Sequence, residues 1–220
     1  MTSAEVPPAV PDDARRVSIG FGRLPKWLDG FADRHGGLIT SAFADQVLVE
    51  AADGSRVWIE VPFQPWDFAA SRPLTTLQLH LKRDRRIGVL LVRRGGYAAG
   101  VFLGRELVSS KVGSAYVQGT TKAGGWSQQR YARRRDNQSK AAFAEAAEVA
   151  ARILLPEVGR LDALVCGGDK AAVASALADP RLAGLLPLRI GPFLPVPDPR
   201  LRVLQATPDQ FQVLTLRLSP

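Results

Sequence analysis

Apolar and polar residues alternate along several stretches of the first half of the chain, and this alternation predicts β-strands. Valine and isoleucine alternate between residues 46 and 63 on both sides of Asp53-Gly54, a dipeptide that favours tight turns, so a β-hairpin is predicted there. Leucines alternate in the same way at residues 77–81, which predicts a further strand. Between residues 87 and 112, the segments IGVLLV, YAAGVFL and ELVSSKV predict an antiparallel meander.

Helical spacing of apolar residues marks two other segments. It runs from Leu24 to Phe31, and Gly36-Gly37 ends this helix. The segment from about Ser127 to Leu155 contains neither proline nor glycine, so it predicts a helix about 40 Å long. Its second half has an apolar stripe and is predicted to pack on the core, whereas its basic first half, QQRYARRRDNQSK, should project into solvent or onto a partner. The stripe consists of Phe143, Ala146, Ala147, Ala150 and Leu154.

The order of the elements predicts a mixed α/β fold. A buried strand at residues 161–166 is followed by a helix that Asp169 caps and that runs to Leu177. The segment FQVLTLRL near the C-terminus is predicted to close the sheet as an edge strand. Strands, a loop, a long helix, a strand and a helix in this order are typical of an α/β domain with a mixed sheet. We predict a disordered tail at residues 1–16, a small α+β region at 17–70 and the main domain at 71–220.

The composition narrows the classes of function. The chain has 220 residues and a net charge of +8, which indicates a polyanionic partner. A single cysteine, Cys166, excludes an internal disulfide framework and a multi-cysteine zinc site, and two histidines, His35 and His80, leave little room for metal or triad chemistry. No apolar run approaches the length of a membrane span, and the N-terminus has no apolar signal segment. We therefore expect a cytoplasmic protein that binds neither a membrane nor a metal.

Basic residues are concentrated in two short segments. Residues 122–140 contain six basic residues against Asp136, and residues 82–94 contain six against Asp84, so each segment has a net charge of +5. Like charges one turn apart oppose an isolated helix, so we expect an anionic partner, and nucleic-acid phosphates fit best. A solvated face without a partner is the alternative.

The loop before the long helix contains residues suited to a ligand site. The segment GSAYVQGTTKAGGWSQQ has a length that is typical of functional or disordered loops. Gly124-Gly125 lets backbone amides approach a ligand, and Trp126 could stack on an unpaired base. Gln128 and Gln129 cannot act as general bases, but a glutamine amide can position a water or donate to an oxyanion. On composition alone, a loop with incidental glutamines is the alternative.

The segment GGWSQQRYARRRDNQSKAAFAEAAEVAARIL resembles a known family. It is similar to the catalytic domain of eukaryotic and archaeal class-1 peptide-chain release factors, in which a Gly-Gly-Gln loop leads into a basic helix with an Arg-aromatic-Ala-Arg pattern, here Arg130–Arg133. The segments IGVLLVRRGGYAAGVFL and LVCGGDKAAVASAL are similar too, so the resemblance covers residues 74–188. It implies a release-factor-like catalytic domain with a ribonuclease-H-like outline and a long projecting basic helix.

One position departs from that pattern. Trp126 stands where those factors have glutamine after Gly-Gly, and the nearest glutamine is Gln128. This shifted glutamine resembles the Vms-like release factors, and the single-domain form resembles their actinobacterial branch. The resemblance implies that Gln128 is the catalytic residue, with Gln129 as the alternative. The catalytic loop would include Gly124, Gly125, Trp126 and Ser127. The RNA-binding residues would be Lys122, Arg130, Arg133, Arg134, Arg135 and Lys140.

The Vms-like family also implies an activity and partners. Its members are peptidyl-tRNA hydrolases that free nascent chains from stalled large ribosomal subunits, by water attack on the peptidyl-tRNA ester. We expect the same activity here, without a cofactor or a metal. The expected partners of a monomer are peptidyl-tRNA and the large ribosomal subunit, through the rRNA at its peptidyl-transferase centre.

Two other functions remain open. Loss of the Gly-Gly-Gln triplet favours a non-catalytic surveillance protein that binds stalled ribosomes or tRNA. A nuclease would fit the ribonuclease-H-like outline, but it needs clustered acidic metal ligands. Asp84, Glu106 and Asp169 are not predicted to converge.

Overall fold

The computed structural model describes residues 8–114 and 141–219 and divides the chain into two compact units. The first unit comprises the residues up to Arg83 together with those from Gln212 onward, and the second comprises Asp84–Phe211. This division differs from the boundary predicted after residue 70. The first unit retains a helix beyond that boundary, whose leucines lie in its core, and the C-terminal strand, which pairs with two of its strands.

The first unit is a five-stranded antiparallel sheet with two helices packed on one face. The strand order is β1-β9-β4-β3-β2. The predicted hairpin is confirmed, because Val47 pairs with Ile59 and Val49 pairs with Val57. The elements are β1 (Arg15–Gly20), α1 (Leu24–His35), β2 (Leu38–Ala42), β3 (Gln46–Ala51), β4 (Arg56–Glu60), α2 (Pro73–Lys82) and β9 (Val213–Leu218).

Helix α2 replaces the strand predicted at residues 77–81. Leu77 and Leu81, one helical turn apart, are buried in the core of the first unit, whereas Leu79 is 65% exposed. Pro73 occupies the first turn, where its missing N–H has no intrahelical partner to lose. Leucine at every second position fits a strand. The buried leucines, however, are four residues apart and therefore lie on one side of a helix, which is the structure observed.

The N-terminal and C-terminal strands of the chain, β1 and β9, also differ from the predictions. Arg15 and Arg16 pair with Leu218 and Arg217 in an antiparallel ladder, so the tail predicted at residues 1–16 overlaps β1. Strand β9 lies between β1 and β4 rather than at an edge of its sheet. The edge prediction is wrong because long-range pairing, which a local pattern does not contain, sets the neighbours of a strand.

The second unit has a four-stranded mixed sheet in the order β7-β6-β5-β8. Strands β5, β6 and β7 form the predicted antiparallel meander, and β8 runs parallel to β5. The chain reaches β8 through a helix, as a parallel pair requires a crossover. The predicted mixed α/β class is confirmed. The elements are β5 (Arg86–Arg93), β6 (Gly96–Leu103), β7 (Glu106–Ser114), α3 (residues 141–154), β8 (Ala163–Gly168), α4 (Lys170–Leu177), α5 (Leu201–Gln205) and α6 (Pro208–Phe211).

Helix α3 has the predicted apolar stripe. Ala146, Ala150 and Leu154 are completely buried in the core of the second unit, and alanine allows a helix to lie close to its neighbours. On the exposed side, the guanidinium of Arg181 donates to the Glu148 carboxylate at 2.8 Å. The basic first half that was predicted to project, residues 127–140, lies outside the described residues. In the described parts of the chain, no helix is long and apolar enough to cross a membrane.

Candidate functional site

The residues predicted for catalysis and RNA binding all fall within residues 115–140, which we call the insertion and which lies outside the described residues. The structure places the two residues that flank it, Ser114 at the end of β7 and Ala141 in α3. The predicted catalytic-loop residues concerned are Gly124, Gly125, Trp126, Ser127, Gln128 and Gln129. The predicted RNA-binding residues concerned are Lys122, Arg130, Arg133, Arg134, Arg135 and Lys140.

The described chain before the insertion ends beside the turn between β5 and β6. Gly113 and Ser114 pair with Tyr97 and Gly96, which follow that turn. A Cβ on Gly113 would overlap the Tyr97 ring, and a Cβ on Gly96 would lie 2.8 Å from the carbonyl oxygen of Gly113. Glycine at 113 therefore allows the tyrosine ring to lie against the end of β7, and glycine at 96 allows the backbones of β6 and β7 to lie close together.

The described chain after the insertion, helix α3, also lies beside Tyr97. The Tyr97 hydroxyl donates a hydrogen bond of 2.9 Å to the carboxylate of Glu145 in α3. Burial raises the pKa of the Tyr97 hydroxyl above its usual value, and the bond to Glu145 adds to this shift, so the hydroxyl is a protonated donor at neutral pH. One side chain thus contacts both segments that flank the insertion. We call the β5–β6 turn, the end of β7 and the start of α3 the insertion edge.

The carboxyl ends of two parallel strands lie at the insertion edge. Strands β5 and β8 run side by side, with Val92 beside Gly168. Ligands of open α/β sheets bind at the carboxyl ends of parallel strands. Asp169 follows β8, and its carboxylate accepts hydrogen bonds from the backbone N–H groups of Ala171 at 2.9 Å and Ala172 at 3.1 Å, which confirms the predicted cap of α4.

Two arginines of the β5–β6 turn carry positive charge at the insertion edge. Arg93 donates to the Val196 carbonyl oxygen at 2.8 Å, and its Nε lies 3.5 Å from the Asp198 carboxylate. Arg94 is exposed and forms no ion pair with another described residue. Arg94 thus has no described carboxylate paired with it, whereas the charge of Arg93 is partly neutralised.

The basic segment at residues 82–94 does not form one patch. Strand β5 separates Arg86 from Arg93 by about 23 Å, at roughly 3.3 Å per residue. Arg86 pairs with Glu157 at 3.1 Å, and Arg85 is 6% exposed. The charges of this segment are therefore divided, because neighbours in the sequence lie at opposite ends of a strand. Only the Arg93–Arg94 end reaches the insertion edge.

The carboxylates considered for a nuclease do not converge. Asp84 precedes β5 and Glu106 begins β7, at the end of the sheet opposite to Asp169, which follows β8. The Asp169 carboxylate is engaged in the cap of α4. Among the residues that the structure describes, no group of three or more histidine, cysteine or acidic side chains could hold a metal ion.

Cysteine and both histidines have structural roles. Cys166 is 2% exposed, and burial raises the pKa of its thiol to about 11, so it is not a thiolate nucleophile at neutral pH. In the first unit, Nδ1 of His35 lies 2.8 Å from the carboxylate of Asp53, and Nε2 of His80 lies 2.8 Å from the Pro62 carbonyl oxygen. These contacts tie turns to helices.

Tyr97 and Glu145 were not among the predicted site residues. In the sequence, Tyr97 is one position of an apolar strand and Glu145 is one polar position of a helix. They are 48 residues apart and come together only because β6 pairs with β7 and α3 packs beside them. The one sequence signal is glycine at 96 and 113, which indicates close packing.

Comparison with known proteins finds resemblances among solved structures. No curated protein matches it. Solved structures that resemble it include the crystal structure of the archaeal translation termination factor aRF1, with 16% identity, 80% of this chain and 50% of that chain covered, and a TM-score of 0.42. Another, described as an archaeal protein, has 19% identity, 84% and 55% coverage and a TM-score of 0.39. The chain spans about half the length of these structures.

A family model matches more than half of the chain. It is described as the Actinobacteria/chloroflexi VLRF1 release factor, and it matches residues 85–217. The match begins next to the first residue of the second unit, Asp84, and spans the insertion edge and the insertion itself. It confirms the resemblance to the actinobacterial branch of the Vms-like release factors. The chain belongs to the Actinobacteria/chloroflexi VLRF1 release factor family.

Proposed function

We propose that this protein is a ribosome-associated peptidyl-tRNA hydrolase that releases nascent chains from stalled large ribosomal subunits. The observation that carries the proposal is the family match over residues 85–217, which includes the Gly-Gly-Trp-Ser-Gln-Gln sequence of the insertion. The substrate is the ester that joins the nascent peptide to the terminal adenosine of tRNA. The protein acts as a cytoplasmic monomer without a cofactor.

The proposed chemistry is ester hydrolysis. The oxygen of a water molecule bonds to the ester carbonyl carbon and the bond from this carbon to the ribose oxygen breaks. One proton of that water passes to the ribose oxygen, which leaves a carboxyl group on the peptide and a hydroxyl group on the tRNA. Gln128 has no titratable group, so its amide holds the water or donates to the developing oxyanion rather than removing a proton. Gly124 and Gly125 allow backbone N–H groups to approach the ester, and the rRNA of the peptidyl-transferase centre supplies further groups.

The proposed affinity comes from phosphate contacts. The basic residues of the insertion, Lys122, Arg130, Arg133, Arg134, Arg135 and Lys140, contact rRNA or tRNA phosphates. Trp126 stacks on an unpaired base. Arg94 supports this view, because it adds an exposed cation without an ion pair in the described chain, next to the residues that flank the insertion.

Reversal of Arg94 tests the extent of the binding surface. We expect Arg94→Glu to weaken binding to purified large subunits and to lower the slope of log K against log salt by about one, because one phosphate contact is lost. The matched control is Arg160→Glu, since Arg160 is 72% exposed and lies just before β8, at the opposite end of the sheet. Equal weakening by both variants would mean that Arg94 acts only through net charge.

A second candidate function is favoured by one observation. Trp126 occupies the position directly after Gly-Gly where the release factors it resembles have glutamine. A protein without a correctly placed amide could bind stalled ribosomes without hydrolysis. This surveillance protein would share the binding residues but release no peptide.

The deciding experiment uses purified large subunits that carry peptidyl-tRNA with a labelled nascent peptide. We expect the wild-type protein to release the peptide and leave a tRNA of full length. Free peptidyl-tRNA, measured in parallel, reports whether the ribosomal centre is required. Stoichiometric binding without release would support the surveillance function, and a tRNA cut within its phosphodiester backbone would support a nuclease.

A further inference from the structure

We infer that Tyr97 is a positioning residue. Together with Gly113 and Glu145 it forms a clamp that joins the described segments on either side of the insertion, and the clamp sets the rate of peptide release. The effect on rate rests on the proposed function. The clamp itself rests on the geometry of described residues, so the two can fail separately.

The first half of the clamp is the contact between Tyr97 and β7. Tyr97 is 8% exposed, and its backbone pairs with Gly113, two residues before the insertion begins. Any side chain at 113 would overlap the ring, so the ring lies directly on the backbone of β7. A ring in this position limits how far the end of the strand can shift.

The second half is the hydrogen bond between Tyr97 and α3. Glu145 is exposed, so water could solvate its carboxylate without help from the protein. The 2.9 Å bond from the tyrosine hydroxyl is therefore not needed to satisfy a buried charge. What it does is connect β6 to the exposed side of α3, close to Phe143, which packs half-buried against the core of the second unit.

Holding both ends at one point matters for catalysis because a positioning amide works only within a narrow range of geometry. A shift of about 1 Å can lower a rate about 10²-fold, and supporting residues must hold a site to within about 0.5 Å. Loosening either end of the insertion should therefore lower the turnover of bound substrate. Binding should change little, since phosphate contacts tolerate small shifts.

The test compares four variants in the release assay with peptidyl-tRNA on large subunits. We expect Tyr97→Phe and Glu145→Ala each to lower kcat about tenfold, with the Kd for large subunits within about twofold of wild type. Glu145→Gln, which keeps an acceptor oxygen, should retain most of the rate. The double variant Tyr97→Phe with Glu145→Ala should be no slower than either single variant, because the two residues act as one unit. Wild-type kcat in Tyr97→Phe, or additive losses in the double variant, would overturn the rate effect.

Backbone hydrogen exchange tests the clamp without reference to hydrolysis. In Tyr97→Phe, amides at residues 110–114 and 145–149 should exchange faster, while those of the β5–β8 pair should not change. Glu145→Gln should exchange like wild type at the same positions. Unchanged exchange in Tyr97→Phe would overturn the clamp. If the wild-type protein releases no peptide but Tyr97→Phe loosens both flanks, the proposed function fails and the clamp stands.

Discussion

We expect Gln128→Ala to lower the rate of peptide release by about 10²–10³-fold, because one positioned donor at a developing oxyanion is worth that factor. Binding to the large subunit should stay nearly unchanged, since phosphate contacts supply the affinity and the amide acts at the transition state. The measurement is single-turnover release of a labelled peptide from purified large subunits, with co-sedimentation of the same variant.

Two neighbouring variants serve as controls for Gln128. Gln129→Ala should have a much smaller effect on release. Trp126→Ala should lower binding and release together if the indole stacks on a base. If Gln129→Ala is the inactive variant and Gln128→Ala is active, the catalytic position lies one residue further along. If both remain active, the loop is not catalytic and the surveillance function is favoured.

Reversing Arg133, Arg134 and Arg135 to glutamate should abolish co-sedimentation with large subunits at physiological salt. Three phosphate contacts are lost and three repulsive charges are added, and phosphate contacts provide most of the affinity of such proteins. We expect folding to be intact, because the described part of α3 begins at residue 141 and is held by its buried alanines. Circular dichroism and thermal unfolding check this.

The matched control reverses three cations elsewhere, so that net charge changes equally. Lys26 and Arg34 are exposed residues of α1, Arg160 is exposed just before β8, and none belongs to the insertion or to the segments that define its edge. Their reversal should weaken binding only modestly through net charge. If the Arg133–Arg135 variant still pellets with large subunits at physiological salt, the basic arm is not the docking element.

Local patterns predicted part of the fold correctly. The hairpin around Asp53-Gly54, the meander of β5 to β7, the stripe of α3 and the cap at Asp169 are all confirmed. Each of these features depends on residues that are close together in the chain. In these segments the alternation, the turn residues or the helical spacing favours a single local structure. Family membership was also readable, from the basic segment around Arg130–Arg133.

Predictions failed where more than one local structure fits the pattern or where partners are distant. The leucines at 77 and 81 suit a strand or a helix, and burial on one side of α2 decides between them. Strand β9 is apolar enough for any place in a sheet, and its pairing with β1 and β4 decides that it is central.

The sequence by itself determined the release-factor family and the residues proposed for catalysis and RNA binding, because that information lies in one contiguous segment. Tertiary structure alone decided which residues surround the flanks of that segment. Tyr97 and Glu145 are 48 residues apart in the sequence, and they form a hydrogen bond because strand pairing and helix packing bring them together. Arg86 and Arg93 lie at opposite ends of β5 because the strand between them is extended. Contacts of this kind depend on long-range pairing and burial, which no local pattern of hydrophobic and polar residues contains.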